Sequence, residues 1–351
     1  MPPFGPSLKS ARSVSVLRQS VRRVFMESLS SAWFVELLRA TRRNRCAIVV
    51  MHRFATDHGV HIGHDPVAFR QLLSTLRRHR VSLVDVETAV RQYDENDSSC
   101  RADGLSVAFT VDDGYDDLLD VGEPIFAEFD CPVSVFVVPD VIEGKSWFWW
   151  DQVDWILRHT DRRAGTIDLT HRELRFAWSD EVSRLAARAD IEQALKQLSH
   201  NHMLAALDQL AQRAGVNLPD RAPAEYRVLD WNTLRSAEAR GVRFGPHSWS
   251  HPILSRCTDE QSRTEIVSSV EAVRSQFQNP VPMFCYPNGC DTDFGAREQA
   301  SLTSAGLHYA LSTKPGVLQP TMADPYGTDW RMRIPRISYG ESAGHIFRSF
   351  L

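Results

Sequence analysis

The chain has 351 residues, 43% of them hydrophobic, and a formal net charge of −4. This length and apolar content suit one large domain or two smaller ones, and they exclude a disordered or fibrous protein. Nucleic acid is not expected as a partner, because basic charge is concentrated in residues 1–45 and lacks interleaved aromatic residues in its Arg-rich parts. No apolar run reaches the ~20 residues of a transmembrane helix.

Residues 1–45 form a basic segment, with nine Lys or Arg residues against two glutamates, so the remaining chain carries −11. Its apolar residues recur at helical spacing and predict an amphipathic helix: Val14, Leu17, Val21, Val24 and Phe25. Such a helix either packs on its own domain or lies on a membrane surface or an anionic partner. Charges between residues 9 and 23 interrupt any secretory h-region. We therefore expect a cytoplasmic protein, with a peripheral contact to the inner membrane as the alternative role of this segment.

Short apolar runs alternate with helical patterns along the rest of the chain. The predicted strands span 46–51, 105–111, 132–138, 242–244, 282–286, 308–312 and 332–338. Helices are predicted between them, for example at 65–79, where Val67, Leu72, Leu73 and Leu76 share a face, and at 258–277. This alternation predicts parallel strands with crossover helices, as a (β/α) barrel or an open doubly wound sheet. In both folds the active site lies at the carboxyl ends of the strands.

Residues 147–226 interrupt this alternation. They begin with an aromatic cluster, continue with a candidate hairpin at 166–178, and end with helices predicted at 179–198 and 201–214. We interpret them as a mostly helical insertion in a domain that spans 46–345. The tryptophans of the cluster would form either a wall that stacks on sugars or the core of the added subdomain: Trp147, Trp149, Trp150 and Trp155.

Two polar clusters follow predicted strands. In "FTVDDGYDD", Asp112 and Asp113 come directly after a strand, and so many carboxylates repel one another unless a cation or hydrogen bonds compensate them. An acidic turn is the alternative, because Asp-Gly is a common turn sequence. In "FGPHSWSHP", His247 and His251 are four residues apart, a spacing at which both imidazoles can reach one ion. Two histidines and one carboxylate make a catalytic metal site with open positions.

At these motifs the chain resembles the polysaccharide deacetylase family, also called the NodB-homology domain or carbohydrate esterase family 4. The family's TFDDG motif is similar to residues 110–114, and its H(S/T)xxH motif is present intact at 247–251. "VVMHRF" at 49–54 and "CYPNG" at 285–289 are similar to the MYHR and YPxG segments of bacterial members. The resemblance covers about 46–340, in order and at strand ends.

The resemblance implies a distorted (β/α)7 barrel with the helical segment as an insertion, and N- or O-deacetylation of an acetylated saccharide. It implies a divalent metal, Zn²⁺ above all, held by Asp113, His247 and His251. Asp112 becomes the general base, which takes a proton from the attacking water.

Further site residues follow from the same resemblance. Tyr286 matches the residue whose backbone N–H binds the oxyanion in the family, although a purely structural role for its side chain is equally open. Tyr115 directly follows the first matched motif and Pro287 lies in the "CYPNG" segment, and both are expected to bind substrate. His52 ends the first strand and therefore faces the site, where it is expected to bind substrate or to donate a proton, with a purely structural role as the alternative.

The chain departs from the family in two motifs. The Arg that orients the base in the family's third motif is missing, and we expect Arg336 to replace it, with a structural ion pair as the alternative. The LxH motif, which supplies a general acid, has no clear copy, because His308 and His345 are both poorly placed. A weakened relative that binds carbohydrate or scaffolds glycan assembly therefore stays open, as does hydrolysis of another C–N substrate.

The six cysteines form no CxxC pair, so we expect free thiols. Cys285 and Cys290 flank "YPNG", and we interpret both as packing residues rather than as metal ligands.

Overall fold

The structure is a computed structural model that describes residues 28–42, 44–56, 63–94, 104–169, 172–319 and 330–351. The helix predicted from Val14 to Phe25 lies outside the described residues. No helix within the described ranges is long and apolar enough to cross a membrane.

Parallel strands form the centre of the fold. In the described part of the chain the strands are β1 (Arg45–Met51), β2 (Ser82–Leu83), β3 (Leu105–Asp113), β4 (Val133–Val137), β5 (Ala164–Leu169), β6 (Arg172–Ala177), β7 (Arg243–Pro246), β8 (Phe284–Cys285), β9 (Ala310–Leu311) and β10 (Ile337–Ser338). The main sheet has the order β10, β1, β3, β4, β7, with every pair parallel and β2 added beside β3. Strands β8 and β9 form a second parallel pair.

Two irregular seams close these strands into a barrel. At the first seam, Ile334 bridges Leu311 of β9 and leads into β10. At the second, Val281 donates its N–H to Phe244 O, and the side chain of His247 reaches Cys285 O. The ring therefore contains seven strands in the order β1, β3, β4, β7, β8, β9, β10. The predicted distorted (β/α)7 barrel is confirmed.

Helices cover the outside of the barrel. They are α1 (Ala32–Thr41), α2 (Pro66–Arg78), α3 (Val86–Arg91), α4 (Glu123–Glu128), α5 (Pro139–Ile142), α6 (Trp149–His159), α7 (Glu181–Leu195), α8 (His200–Ala214), α9 (Trp231–Ala239), α10 (Asp259–Gln276), α11 (Ala296–Ser304) and α12 (Ala343–Ser349). Asp65 caps α2 by accepting a hydrogen bond from Val67 N–H, and Pro66 occupies the first turn. The predicted buried position of Val67 is wrong, because at about 100° per residue Val67 lies on the side of α2 opposite the three buried leucines and is exposed. Phe69 lies on the side of the leucines and is buried.

Strand β3 shows how the barrel positions a site. All nine of its residues are buried, as expected for a parallel strand covered on both faces. Phe109 and Val111 pack in the cluster between sheet and helices, whereas Ala108 packs in the smaller cluster inside the barrel. Because side chains alternate along a strand, Thr110 and Asp112 follow Ala108 and face the interior.

Residues 147–226 contain α6, the antiparallel hairpin of β5 and β6, α7 and α8, as the patterns in that stretch predicted. These elements share a hydrophobic cluster of their own. Asp154 lies at its centre, where it accepts hydrogen bonds from Arg158, Arg184 and the Tyr226 hydroxyl. Burial opposes the charge of this carboxylate, but the surrounding guanidiniums lower its pKa to about 2. The boundaries of the insertion, residues 147–226, remain a prediction.

Candidate active site

Asp112 and Asp113 lie at the carboxyl end of β3, beside Phe136 and Val137 of β4. Consecutive strand residues normally point to opposite faces. Here both carboxylates approach the Nε2 atom of His247. Asp112 Oδ2 lies 4.0 Å from this nitrogen, and Asp113 Oδ1 lies 3.7 Å from it. Asp113 has a φ of 74°, and Gly114 follows with a φ of 77°. This left-handed turn brings the second carboxylate to the same side as the first.

The histidine motif lies in the loop after β7. His247 Nε2 and His251 Nε2 lie 3.7 and 3.5 Å from Asp113 Oδ1. His247 Nδ1 is 2.8 Å from Cys285 O, and because a carbonyl only accepts, Nδ1 carries the proton and Nε2 presents its lone pair. The loop reaches this shape through left-handed residues, Ser248 and His251, each with a φ of 62°. Ser248 Oγ accepts the His251 N–H and supports the turn.

The Asp113, His247 and His251 side chains fit a divalent metal ion. Asp113 Oδ1 is buried and has no hydrogen-bond donor among the described residues. Burial and then the charge of Asp112 raise the pKa of Asp113 well above its usual value, so a cation there would relieve a real electrostatic cost. Burial also lowers the pKa of His247 to about 4 and that of His251 well below its usual value. Neutral imidazoles are the form that binds metals.

Arg336 holds Asp112 from inside the barrel. Its Nη1 and Nη2 atoms donate to Asp112 Oδ1 and Oδ2 at 2.8 and 2.9 Å, and its Nε donates to Ser312 O. Arg336 is 1% exposed, so this bidentate pair is shielded from water. Burial alone would raise the pKa of Asp112, but the Arg336 guanidinium, followed by His247, holds it below its usual range. Asp112 is therefore an ionised carboxylate in a fixed orientation.

Cys285 also contacts this carboxylate, with Sγ 3.5 Å from Asp112 Oδ2. No motif in the sequence indicates this contact, which adds a polar interaction to the packing role predicted for Cys285. The five cysteines in the described ranges are free thiols, as expected. Because Arg336 already occupies both oxygens of Asp112, the alternative cluster of Asp112, His247 and Cys285 is a poorer fit to a cation than the Asp113 cluster.

A cavity of about 260 Å³ opens over these groups. Of the residues expected in the site, those that line it are His52, Asp112, Asp113, Tyr115, His247, His251 and Tyr286. Arg336 lies behind Asp112, and Pro287 is buried outside the cavity lining. The cavity is also lined by five residues that no sequence motif indicated: Glu192, Lys196, Ile253, Asn288 and Thr313.

The family model described as "Polysaccharide deacetylase" matches residues 101–310 of this chain, which is more than half of its length. The chain belongs to the polysaccharide deacetylase family. This membership assigns it to enzymes that remove acetyl groups from glycans. A search of curated protein sequences finds no match.

Solved structures of deacetylases share the fold. The Streptococcus pyogenes deacetylase PplD, solved in complex with acetate, is 12% identical with a TM-score of 0.55, over 88% of this chain and 98% of that one. IcaB from Ammonifex degensii is 13% identical with a TM-score of 0.53, over 88% and 97%. At such identities the likeness shows that this polysaccharide deacetylase shares their fold.

The backbone N–H of Tyr286 is already engaged in this polysaccharide deacetylase. It donates to Leu311 O at 3.1 Å, which continues the pairing of β8 and β9. The Tyr286 ring stacks on Phe294 at 3.7 Å between centroids. Two residues further on, Asn288 has a φ of 59° and lines the cavity. No acceptor for the Asn288 N–H occurs among the described residues, so this amide is free to bind a ligand atom.

The segment 147–226 contributes part of the cavity wall. Trp150 packs edge-on against His251, with centroids 4.7 Å apart, and its indole N–H donates to the Tyr115 hydroxyl. The Tyr115 hydroxyl in turn donates to Asp151 at 2.6 Å. Burial raises the pKa of Asp151 to about 7. The Tyr115 side chain thus forms part of the cavity wall, with its hydroxyl already hydrogen-bonded to Asp151. Its predicted contact with substrate would be through the aromatic ring.

Among candidate proton donors, His52 alone of the three sequence candidates lines the cavity. His308 is exposed on the barrel surface, and His345 lies in α12. Neither of these two histidines lines the cavity, so neither is placed to donate a proton there.

Proposed function

We propose that this polysaccharide deacetylase is a metal-dependent hydrolase that removes N- or O-acetyl groups from a saccharide or glycan precursor, and that its metal is Zn²⁺. The observation that carries the proposal is the buried, unpartnered Asp113 Oδ1, faced by two neutral Nε2 atoms at 3.5 and 3.7 Å. Two imidazoles and one carboxylate are a donor set of catalytic zinc sites that leave positions for water and substrate. Asp113, His247 and His251 would hold the ion.

Asp112 is proposed as the general base. When bound, the metal supplies Lewis acidity that polarises the acetyl carbonyl and acidifies water. Asp112 accepts a proton from the water as it attacks the acetyl carbon, because Arg336 keeps the carboxylate ionised and fixed. The carboxylate oxygens retain lone pairs beyond those that Arg336 occupies, so they can still accept this proton.

The negative charge on the acetyl oxygen needs a fixed donor. We assign this role to the backbone N–H of Asn288 in place of Tyr286, whose N–H is bonded to Leu311 O. The left-handed backbone of Asn288 is a strained conformation of the kind held in place at active sites. A preorganised amide of this kind stabilises the transition state by about 3–4 kcal/mol in other hydrolases.

The leaving nitrogen or oxygen of the sugar must receive a proton. His52 is the proposed donor, because the other imidazoles of the cavity belong to the metal cluster. A neutral imidazole that takes a proton from solvent can pass it to the leaving group as the C–N or C–O bond breaks.

Release of acetate from acetylated oligosaccharides tests the proposal. We expect acetate from a chitooligosaccharide or from an O-acetylated xylan, loss of release after treatment with a chelator, and recovery when Zn²⁺ is restored. The protein dialysed without chelator is the control for loss through handling. Absence of acetate from every acetylated glycan, with zinc bound in one equivalent, would contradict the proposed function.

We propose that residues 1–45 provide a peripheral contact to the inner membrane, on the basis of their nine basic residues and the amphipathic pattern. Deleting residues 1–27 spares α1, whose Val35 and Leu38 are packed in the core. The deletion removes five of the nine basic residues and the predicted amphipathic helix, so we expect it to weaken co-sedimentation with vesicles that contain phosphatidylserine, while acetate release from a soluble saccharide is unchanged. Equal co-sedimentation of both proteins would overturn the idea.

A further inference from the structure

Lys196 places a positive charge in the wall of the catalytic cavity. It follows the last residue of α7 and reaches the cavity that also contains Asp112 and His52. The side chain is half-buried. Within the described ranges, no carboxylate lies within ion-pair distance of its ammonium group.

The acidic groups that share the cavity are compensated elsewhere. Asp112 is paired with Arg336 at 2.8 Å, and Glu192 with Arg188 at 2.5 Å. The remaining carboxylate, Asp113, belongs to the metal cluster. No protein anion therefore neutralises the ammonium group of Lys196 among the described residues, and this cation faces the place where the substrate would bind. A half-buried ammonium group without a protein anion can form a charge-assisted hydrogen bond with an anionic group of a bound ligand, and such complementarity favours specificity.

A smaller groove extends this positive charge outwards. It shares Trp149, Lys196 and Ile253 with the cavity and continues to Arg256. The guanidinium of Arg256 contacts the neutral Gln197 side chain at 3.4 Å. No carboxylate among the residues that the structure describes pairs with Arg256. Lys196 and Arg256 thus place two positive charges along one groove that leads away from Asp112 and Asp113.

We propose that Lys196 is a specificity-determining residue that binds an anionic group of the substrate, so that this enzyme prefers acetylated saccharides that carry a carboxylate or a phosphate close to the acetylated sugar. The inference rests on the proposed deacetylase function. Arg256 extends the same recognition to a second negative charge further from the acetyl group. The neutral part of the sugar lies against Trp149 and Trp150, which line the same wall.

Three related sugars test the assignment with the zinc-loaded protein. N-acetylglucosamine is neutral, N-acetylglucosamine 1-phosphate adds a phosphate, and N-acetylmuramic acid adds a carboxylate. We expect Lys196→Gln to raise KM for at least one anionic sugar by about 10-fold to 100-fold, the range of a charge-assisted hydrogen bond, and to leave the neutral sugar unchanged. Lys196→Arg should retain the preference, and Lys196→Glu should reverse it.

Lys145→Gln is the matched control, because it removes the same charge from an exposed lysine that pairs with Glu143. It should behave as the wild type with all three sugars. A selective loss with the phosphate sugar or with the carboxylate sugar supports the proposal and identifies the anion. Equal effects of Lys196→Gln on all three sugars, or none on any, would overturn it.

Calorimetric titration of the same sugars separates this inference from the proposed function. In an Asp112→Asn background, where no turnover is expected, Lys196→Gln should weaken binding of the preferred anionic sugar by the same factor. If the wild type releases no acetate from any sugar, the proposed function fails, whereas the titration still decides whether Lys196 binds the anion. Binding that is indifferent to Lys196 would overturn the inference even in an active enzyme.

Discussion

A protein with both Asp113→Ala and His247→Ala is expected to contain no bound zinc and to release no acetate, whereas the wild type binds close to one equivalent. Each substitution removes one of three donors, and the single donor left on His251 cannot compete with water for the ion. Metal content is measured by elemental analysis after purification without added metal, and activity by acetate release after incubation with Zn²⁺.

The control for this experiment replaces the same two residue types, one aspartate and one histidine, at exposed positions outside the cavity. Asp120→Ala combined with His308→Ala changes an exposed aspartate and an exposed histidine, and it should leave both metal content and activity unchanged. One equivalent of zinc in the Asp113→Ala, His247→Ala protein would show that the ion binds at another place. Wild-type protein that takes up no divalent ion would show that the aspartates of "FTVDDGYDD" only shape a turn.

Replacing Arg336 with methionine is expected to destabilise the protein by about 3–5 kcal/mol, because it leaves the buried Asp112 charge without its partner. Folding stability is measured by urea denaturation in the presence of chelator, so that metal binding does not contribute. The pair lowers the folded-state pKa of Asp112, so its stabilisation is present above the ordinary pKa of about 4 and is lost as pH falls. The difference between wild type and variant should therefore shrink in acid.

The same variant should lose activity at neutral pH and regain part of it as pH rises, because without Arg336 burial dominates and raises the pKa of Asp112. Arg336→Gln together with Asp112→Asn replaces the ion pair by two neutral amides that can hydrogen-bond to each other. This double variant should recover most of the stability but none of the activity. Equal stability of Arg336→Met and wild type, or a pH profile that does not move, would contradict the role assigned to Arg336.

Much of the fold was predictable because parallel strands covered on both faces appear in a sequence as short apolar runs. Strand β3, buried along its whole length, is the clearest case. Helix periodicity gave the right element but not every buried position. Val67 is exposed because, at about 100° per residue, it lies on the side of the helix opposite the three buried leucines, whereas Phe69 lies on their side.

The site was predictable where its residues are contiguous in short motifs. Asp112, Asp113, His247 and His251 meet because strand ends meet at one edge of a barrel. The free N–H of Asn288 was not predictable, because it depends on a left-handed residue and on a strand pairing that engages Tyr286 instead. Lys196 was missed because its position depends on how a helix of segment 147–226 packs over the barrel.

A carbohydrate-binding or scaffold role without catalysis is the main alternative to the proposed function. Arg336 argues against it, since a binding module has no need of a buried guanidinium that keeps one carboxylate ionised beside a metal cluster. The bidentate pair of Asp112 and Arg336 is the arrangement that the proposed general base requires.

The pair of Asp112 and Arg336 also constrains how the chain is made. The two residues are 224 positions apart in sequence. At ~5–20 residues per second, a ribosome delivers Arg336 roughly 10–45 s after Asp112. During that interval the barrel lacks β10, and the Asp112 carboxylate has to stay hydrated or take up a proton. A nascent chain therefore cannot form the buried ion pair of Asp112 until residue 336 has been synthesised, so this carboxylate gains its fixed orientation long after strand β3 itself is complete.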